Sequence, residues 1–465
     1  MAKVGVEVDV RHVIRAVEPR TLGINIDYLV DHDENRPPGA RPLEEALREM
    51  GVRSLRFPGG DKSDNHLWSL PPYDRPRPAL ACGPRQGREA VLMDEAGEWR
   101  VRRMDFDEFM GLCRRLGAEP TVVVCYDALH HPDCEVTRQQ LLETAVAWVE
   151  YARQQGYGVK YWEIGNEGYI EKTVSAADYA ADLVEFAQAM KRADPTILIG
   201  ANGPDSVEGP GAQAGEGGEP WWKVVFEGAA EHIDFAAVHI YSCWEWGGYE
   251  AYRERSPEVA RSASAAVEAA RRWAPAEVAQ RLRVAITEYN SADWSKGGWP
   301  TVNTLGHALV TFDIIGELLE HERVDMAQLW NTRWVSHPPE HASLWDALDE
   351  RNELQASGRV LAIWGQFVGE RMVEVTQAER LRAFASHSPA DNRLSVFLVS
   401  KEETDRQAVI GLEGLSARSA ECWRLRGEGP EDERPSWSGP EPAEVRGGRV
   451  EVELPGDSLT VVALR

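Results

Sequence analysis

Eight short apolar runs recur along the first three quarters of the chain, and helix-like stretches lie between many of them. The runs are at 22–28, 52–57, 120–126, 159–165, 197–201, 235–240, 282–287 and 326–331. Apolar residues at three- and four-residue spacing predict helices at 43–50, 105–116, 138–155, 176–193, 258–273 and 303–321. Strands that alternate with helices are typical of a parallel sheet covered by helices. Eight alternations predict a closed (β/α)8 barrel rather than an open sheet.

After about residue 353 the pattern changes to short strand-like segments separated by polar turns, which is typical of a β-sandwich. The segment from Val4 to Val13 alternates like a strand and has no helix after it, so we assign it to the same sandwich. The 465 residues also exceed the usual limit for one compact domain. We therefore predict an α/β protein with a TIM barrel at 15–352 and a β-sandwich domain formed by 1–14 and 353–465.

The chain is strongly acidic, with 76 Asp and Glu against 51 Lys and Arg and a net charge of −25. Binding to a phosphate backbone requires clustered positive charge, so we expect no nucleic-acid partner. The sequence shows neither a membrane span nor a cationic stretch followed by an apolar core at its N-terminus. We expect a cytoplasmic protein with no membrane partner, unless a leader has been removed, and homo-oligomers remain possible.

The six cysteines show no CxxC pair and no regular spacing. We expect reduced, mostly structural thiols rather than a disulfide framework or a zinc site, although Cys125 and Cys134 could pair. The histidines at 130–131, and the pair His337 and His341, have no carboxylates or cysteines at convincing ligand spacing. The sequence therefore predicts no metal and no cofactor.

The fourth apolar run continues into the string YWEIGNEGY, which contains Glu167. Side chains alternate along a strand, so Glu163 and Gly165 share a face, and the chain must bend at Asn166 to bring Glu167 to the rim. A carboxylate at the mouth of an apolar barrel, near a second carboxylate, can stay protonated and serve as a general acid. Glu163 is predicted to point into the barrel and pair with a buried arginine.

Glu288 follows the seventh run in the string VAITEYN. At roughly 40 residues per βα unit, Glu167 and Glu288 are three units apart and face one pocket at the C-terminal ends of the strands. Tyr289 and Asn290, which follow Glu288, are expected to hydrogen-bond it and lower its pKa, which favours the anion that attack at an anomeric carbon requires. Two facing carboxylates are the minimum for breaking a glycosidic bond, so we predict a glycoside hydrolase with an oligosaccharide or glycoside substrate.

Further polar and aromatic residues are predicted at the same mouth. In RFPGGDKSDNHLW, after the second run, an arginine can donate two hydrogen bonds to a carboxylate and the glycines allow close backbone approach. A histidine and a tyrosine share one face of the sixth run, where either could orient the nucleophile or bind a sugar hydroxyl, and tryptophan faces stack on sugar rings. The predicted substrate-binding residues are Arg56, Asp61, Asn166, His239, Tyr241, Trp244 and Trp330.

With these residues the chain resembles the retaining glycoside hydrolases of clan A. In that clan the Glu of an Asn-Glu pair after the fourth strand is the acid/base, and a Glu after the seventh strand is the nucleophile. The resemblance assigns these roles to Glu167, which follows Asn166, and to Glu288. RFPGG, the C-terminal sandwich and its N-terminal strand are most similar to family 51, while families 39 and 79 share the layout. The chain departs from family 51 at Asp61 and Lys62, where Asn-Phe is usual, and at INIDYLVDHD, which replaces a Glu-rich motif.

The family 51 resemblance implies double displacement on plant-polysaccharide-derived glycosides, with α-L-arabinofuranosidase as the first expectation. The alternatives are a β-glycosidase or endo-β-glycanase acting on gluco- or xylo-oligosaccharides, and a β-glucuronidase. A glucuronide pocket would need a cation besides Arg56, for which Lys62 and Arg333 are the candidates. A catalytically silent carbohydrate-binding barrel would lack one carboxylate. A metal-dependent aldolase or isomerase would need a ligand set or a Schiff-base lysine that the strand ends do not show.

Overall fold

The structure is a computed structural model, and it describes residues 2–131, 134–171, 174–209, 212, 218–241, 249–291, 303–335 and 345–465. The chain begins with strand β1 (Ala2–Ala16), which belongs to the second domain. The barrel strands are β2 (Gly23–Asn25), β3 (Ser54–Phe57), β4 (Glu119–Val124), β5 (Tyr161–Ile164), β6 (Leu198–Gly203), β7 (Phe235–Ile240), β8 (Arg283–Tyr289) and β9 (Val324–Leu329).

In the described part of the chain these eight strands form a closed barrel, in the order β8-β9-β2-β3-β4-β5-β6-β7. Neighbouring strands are parallel all the way round. Each of the eight predicted apolar runs overlaps one strand. The predicted (β/α)8 barrel is thereby confirmed.

Part of the barrel is packed by a separate cluster that includes Tyr161, Phe235 and Met326. Gly200 makes room for it, because a Cβ at that position would lie 2.3 Å from the ring of Phe235. Burying large apolar side chains contributes about 1.5–3 kcal/mol each, so this cluster stabilises the strands that position the site.

Helices surround the barrel. They are α1 (Leu43–Glu49), α2 (Phe106–Leu116), α3 (Arg138–Gln154), α4 (Gly168–Glu171), α5 (Ala176–Ala193), α6 (Trp221–Ala229), α7 (Tyr249–Glu254), α8 (Val259–Trp273), α9 (Ala276–Arg281), α10 (Leu305–Glu320) and α11 (Ala356–Phe367). The predicted stretches correspond to α1, α2, α3, α5, α8 and α10. Helix α2 begins with a capping box, in which Asp105 and Glu108 each accept a hydrogen bond from the other's backbone N–H.

Helix α11 was not predicted, and it lies beyond residue 352, where we placed the start of the sandwich. Its residue Trp364 stacks on Phe312 of α10 with ring centroids 4.5 Å apart, so α11 packs on a barrel helix. The strands that follow begin only at Arg371.

The second domain is built from strands, as predicted. They are β10 (Arg371–Val375), β11 (Leu381–Ser388), β12 (Arg393–Ser400), β13 (Arg406–Glu413), β14 (Ala420–Arg426), β15 (Ser436–Ala443), β16 (Val445–Arg446), β17 (Arg449–Leu454) and β18 (Ser458–Leu464). Together with β1 they form one continuous sheet of ten strands among the described residues. Strand β1 pairs antiparallel with β10 and parallel with β13, which confirms that the N-terminal strand belongs here. Its Val6 and Val8 are fully buried in the core of this domain.

Buried ion pairs and aromatic contacts join the two domains. Arg382 of β11 pairs with Asp313 of α10 at 2.8 Å, and Arg253 of α7 pairs with Asp457 at 2.5 Å. Trp364 also packs against Phe397 of β12, with ring centroids 4.3 Å apart. The strand domain therefore holds α7 and α10, which come after barrel strands β7 and β8.

The prediction of reduced cysteines is wrong for one pair, because Cys82 and Cys134 form a disulfide with their Cα atoms 4.8 Å apart. Their separation of 52 residues gave no sign that the two loops meet. Cys125, the alternative partner that we considered for Cys134, is a buried free thiol. Across the described ranges no helix has the length and apolar character needed to cross a bilayer.

Candidate active site

Glu167 lies just beyond β5, in a turn that begins at Gly165. Gly165 has a φ of +72°, a left-handed conformation that favours glycine and bends the chain outward at the strand end. The Glu167 side chain is 27% exposed, whereas Glu163, inside the barrel, is fully buried and pairs with Arg56 at 3.0 Å. The predicted division between an inward Glu163 and a rim Glu167 is confirmed.

Glu288 lies near the end of β8, and its side chain is only 4% exposed. Its Oε1 accepts a hydrogen bond from Nη1 of Arg56 at 2.7 Å, and its Oε2 accepts one from the hydroxyl of Tyr241. The carboxylate is therefore fixed by a cation on one oxygen and a phenol on the other.

Glu167, His239 and Glu288 meet at the C-terminal end of the barrel. A carboxylate oxygen of Glu167, one of Glu288 and a ring nitrogen of His239 all lie within 4.8 Å of one another. His239 Nδ1 is hydrogen-bonded to Glu167 at 2.6 Å and lies 3.6 Å from Oε2 of Glu288. This trio has ligand types that could hold a metal ion, but the His239 ring and Glu167 are hydrogen-bonded to each other.

Arg56 is fully buried and organises the floor of this site. Both oxygens of Glu163 accept from it, at 3.0 and 3.2 Å, and Glu288 accepts at 2.7 Å. Oδ1 of Asn166 accepts from Nη2 of Arg56 at 2.8 Å, and Asn25 Oδ1 accepts from Nη1 at 3.2 Å. One planar guanidinium thus fixes the nucleophile candidate and the residue that precedes Glu167.

The electrostatics of Glu288 differ from the expectation. Burial raises its pKa, and the opposing effects of His239, Arg56 and the Tyr241 hydroxyl do not cancel it, so the net direction is upward. We predicted a lowered pKa from the hydrogen bonds alone. That prediction is wrong because a strand end inside a barrel removes the carboxylate from water.

The charges of Glu167 and Glu288 raise the pKa of both His239 and Tyr241. Burial lowers the pKa of His239, but the charges of Glu288 and Glu167 outweigh it, and the net pKa is raised. Burial and the charge of Glu288 raise the pKa of Tyr241 well above its usual range, so its hydroxyl remains a neutral donor.

The RFPGG segment passes directly beneath this site. Gly60 has a φ of +51°, and a Cβ there would lie 2.7 Å from Oε1 of Glu288 and 2.1 Å from the ring of Trp330. Only glycine allows the backbone to approach the carboxylate this closely. Asp61, the next residue, lies in the wall of the cavity.

Two tryptophans line the cavity next to this segment. Trp330 and Trp334 pack with their ring centroids 5.5 Å apart, and Nζ of Lys62 lies 4.7 and 3.9 Å from these two rings. Trp330 was predicted to line the site and Trp334 was not, although both follow β9 closely. The prediction for Trp244 falls outside the described residues.

This cavity has a volume of about 400 Å³. Several of its lining residues were not predicted, and they lie on loops after strand ends. The lining residues are Asp61, Asp64, Arg88, Asp127, Glu167, Gly168, Ile170, Tyr241, Glu288, Trp330 and Trp334. Within the described residues Nδ2 of Asn166 and Nε1 of Trp330 are buried without hydrogen-bond partners.

The cations near the cavity face carboxylates. The contacts are Lys62 Nζ to Asp27 Oδ2 (3.3 Å), Arg88 Nη2 to Asp61 Oδ2 (2.5 Å) and Arg333 Nη1 to Asp31 Oδ1 (2.6 Å). Lys62 and Arg333, which we considered as candidates for binding a sugar carboxylate, are therefore both paired. His130 contacts the Tyr126 hydroxyl at 3.2 Å, while His337 and His341 are outside the described residues.

Comparison with known proteins gives a consistent result. Residues 46–255 match the family model described as the alpha-L-arabinofuranosidase 1 domain. Alpha-L-arabinofuranosidase C of Emericella nidulans is 31% identical over 185 residues, which cover 35% of this chain and 32% of that protein. The intracellular exo-alpha-(1->5)-L-arabinofuranosidase of Acetivibrio thermocellus is 24% identical over 264 residues, covering 52% of this chain and 48% of that protein. The match thus spans about a third of the fungal relative and half of the bacterial one.

Among solved structures, the arabinose complex of an alpha-L-arabinofuranosidase from Thermotoga maritima superimposes with a TM-score of 0.75. It is 20% identical, and the alignment covers 99% of each chain. At that identity the likeness establishes the shared fold, from the barrel to the strand domain. The resemblance to arabinofuranosidases that the sequence predicts is confirmed by the family model and the curated relatives, and the predicted fold by the solved structure.

Proposed function

We propose that this chain, which these matches support as a glycoside hydrolase of family 51, is a retaining α-L-arabinofuranosidase. The observation that carries the proposal is the pair Glu167 and Glu288, in which one carboxylate oxygen of each residue lies within 4.8 Å of the other. Retaining enzymes hold their two carboxyl groups about 5–5.5 Å apart, while inverting enzymes need about 6.5–9.5 Å to admit a water. The short separation supports direct attack by Glu288 on the sugar. The positions of the pair, after the fourth and seventh barrel strands, support an assignment to clan A.

In the first step Glu288 forms a bond to the anomeric carbon and the glycosidic C–O bond breaks. The leaving oxygen takes its proton from Glu167. In the second step Glu167 takes a proton from water, the resulting oxygen bonds to the anomeric carbon, and Glu288 leaves as a carboxylate. Arg56 and Tyr241 orient Glu288 for attack, and the greater exposure of Glu167 suits a group that must reach the departing alcohol.

The remaining predicted residues are proposed to bind the sugar. Asn166 and Trp330 each have a buried donor directed at no described acceptor, which suits sugar hydroxyls. Asp61 lines the cavity as an acceptor, and His239 connects the two carboxylates. Trp244 remains a prediction.

The sugar is proposed from the relatives and from charge. The Emericella, Acetivibrio and Thermotoga proteins are all named as arabinofuranosidases. The pairing of Lys62, Arg88 and Arg333 with carboxylates disfavours a glucuronide, which would need an available cation. We therefore propose a neutral glycone, with a terminal α-L-arabinofuranosyl group as the first choice.

A panel of 4-nitrophenyl glycosides tests the sugar directly. We expect kcat/KM for the α-L-arabinofuranoside to exceed that for the β-xyloside, β-glucoside and β-glucuronide. A higher kcat/KM for the xyloside or glucoside would favour a β-glycosidase. A higher kcat/KM for the glucuronide, if Lys62→Ala or Arg333→Ala abolished it, would favour a glucuronidase. Activity on polysaccharide with none on these monosaccharide glycosides would indicate an endo-β-glycanase. If the protein neither binds nor hydrolyses any of these substrates, the proposal is contradicted.

We also propose the cytoplasmic location expected from the sequence, which the name of the intracellular Acetivibrio relative supports. The Cys82–Cys134 disulfide points the other way, because disulfides persist mainly in oxidising compartments. Fractionation of the producing cells with immunodetection decides the point, since finding the chain outside the cytoplasm would contradict the proposal.

A further inference from the structure

We propose that Asp127 is a positioning residue for the acid/base turn, the segment 165–168 that presents Glu167. The inference rests on the proposed function, because it concerns the step in which Glu167 transfers a proton. Asp127 begins a 3-10 turn (Asp127–His130) just after β4, and β4 is the barrel neighbour of β5, from which the acid/base turn emerges.

A hydrogen bond joins the two segments. Oδ2 of Asp127 accepts from the backbone N–H of Asn166 at 2.7 Å. Asn166 immediately precedes Glu167, so this bond fixes the backbone one residue away from the proton donor. A bond from a backbone N–H to a carboxylate is roughly twice as strong as a neutral one.

The Asp127 carboxylate also touches both ends of the turn. A Cβ on Gly165 would lie 2.8 Å from its Oδ2, and a Cβ on Gly168 would lie 2.5 Å from its Oδ1. The carboxylate thus occupies the inside of the turn, in space that the two glycines leave open. A single side chain thus lies against Gly165, Asn166 and Gly168, the residues that surround Glu167 in the chain.

A second buried acid, Asp64, lies next to Asp127. Burial and the charge of Asp127 raise the pKa of Asp64 well above its usual range. Both acids lie in the cavity wall beside Glu167.

Loss of this support should resemble a partial loss of the acid/base. Misplacement of a catalytic group by about 1 Å costs on the order of 100-fold in rate. Proton donation is needed for a poor leaving group and not for a good one, so the loss must depend on the leaving group. A residue that only stabilises the barrel would lower the rates on both kinds of substrate equally.

The test compares benzyl and 2,4-dinitrophenyl α-L-arabinofuranosides in Asp127→Ala. We expect kcat/KM to fall about 100-fold for the benzyl glycoside and less than about 10-fold for the dinitrophenyl glycoside. For the dinitrophenyl glycoside, kcat and KM should fall together. Glu167 is also the base that activates water in the second step, and a slower second step lowers both constants. Asp127→Asn keeps an acceptor oxygen without the charge, so it should show the same pattern to a smaller extent and answers the question if Asp127→Ala does not fold.

Two further variants complete the experiment. Asp234 lies just before β7, at the other end of the barrel, and accepts a hydrogen bond from the backbone N–H of Ile199 in β6 at 2.8 Å. Asp234→Ala should therefore leave the ratio between the two substrates unchanged. Equal losses on both substrates for the Asp127 variants, or no loss on either, would overturn the inference. If instead Glu167→Ala itself shows no dependence on the leaving group, the proposed function fails rather than the role of Asp127.

Discussion

Replacement of Arg56 by methionine removes the guanidinium at the centre of the site while keeping an unbranched side chain of similar length. Arg56 is fully buried and has salt bridges to both Glu163 and Glu288. Without it, two carboxylates would be left in the barrel with no cation between them. The energetic effect should therefore appear in stability as well as in activity.

The magnitude follows from the burial of both partners. Breaking a buried ion pair by removing one partner costs about 3–5 kcal/mol, because the other charge remains buried and uncompensated. Since Arg56 faces two carboxylates, we expect Arg56→Met to lie in the upper half of that range. Replacing Glu163 by glutamine as well removes one of the stranded charges, so the double variant should lose less than the sum of the two single variants.

The assay is urea unfolding followed by tryptophan fluorescence for the wild type, Arg56→Met, Glu163→Gln and the double variant. We expect a coupling energy of about 2–3 kcal/mol between the two positions, in the range found for residues of one buried network. Additivity within about 0.5 kcal/mol, or a loss below about 1 kcal/mol for Arg56→Met, would refute the role given to this network.

Three further predictions concern the reacting groups. Glu288→Ala should be almost inactive on every glycoside, whereas Glu167→Ala should keep much of its rate on dinitrophenyl glycosides and be accelerated by azide; identical kinetics of the two variants on that substrate would contradict their roles. Because the raised pKa of Glu288 favours its protonated form, activity should be lost as the pH falls through a value above the ordinary glutamate range. Tyr241→Phe removes a donor that lowers this pKa, so the acidic limb of its kcat/KM profile should move to higher pH, and a move to lower pH would be inconsistent. Gly60→Ala should reduce kcat/KM by more than about 10-fold because its Cβ would lie 2.7 Å from a Glu288 oxygen. Gly447→Ala, at a φ of +56° with nothing within 4 Å, is the matched control and should retain wild-type kinetics.

The barrel could be predicted from the sequence because each strand overlaps an apolar run, and helix-like stretches lie between many of these runs. Periodicity also located the long helices, such as α5, whose apolar residues recur regularly over 18 residues. It missed α11, since Gly358 and Gly365 interrupt the pattern and strand-like segments follow. Those glycines permit close packing, because a Cβ on Gly365 would lie 2.6 Å from the carbonyl oxygen of Met50.

At the site, the two catalytic candidates were accessible to sequence reasoning, whereas contacts between loops were not. Glu167 and Glu288 follow directly from strand parity and spacing. Asp127 is one residue beyond the predicted run at 120–126, but nothing in the sequence shows that its carboxylate lies inside the turn of a neighbouring strand. Contacts between loops depend on three-dimensional placement, as the missed bond between Cys82 and Cys134 also shows.

The pKa of Glu288 shows a second kind of limit. Tyr241 was predicted to orient Glu288 and does bond it, but the adjacent residues Tyr289 and Asn290 do not, and Asn290 donates instead to the carbonyl oxygen of Trp330. The depth at which Glu288 is buried could not be predicted from the sequence, and burial decides the direction of its pKa shift. Sequence reasoning thus identified Tyr241 but not the balance of the effects on Glu288.

The stereochemistry of glycosyl transfer tests the central claim most directly. Solvolysis of 4-nitrophenyl α-L-arabinofuranoside in aqueous methanol, followed by NMR, reports the configuration of the methyl glycoside formed. Attack by Glu288 and a second displacement on the resulting glycosyl enzyme should give methyl α-L-arabinofuranoside, with the configuration retained. Formation of the β anomer, or hydrolysis without any methyl glycoside, would contradict the account.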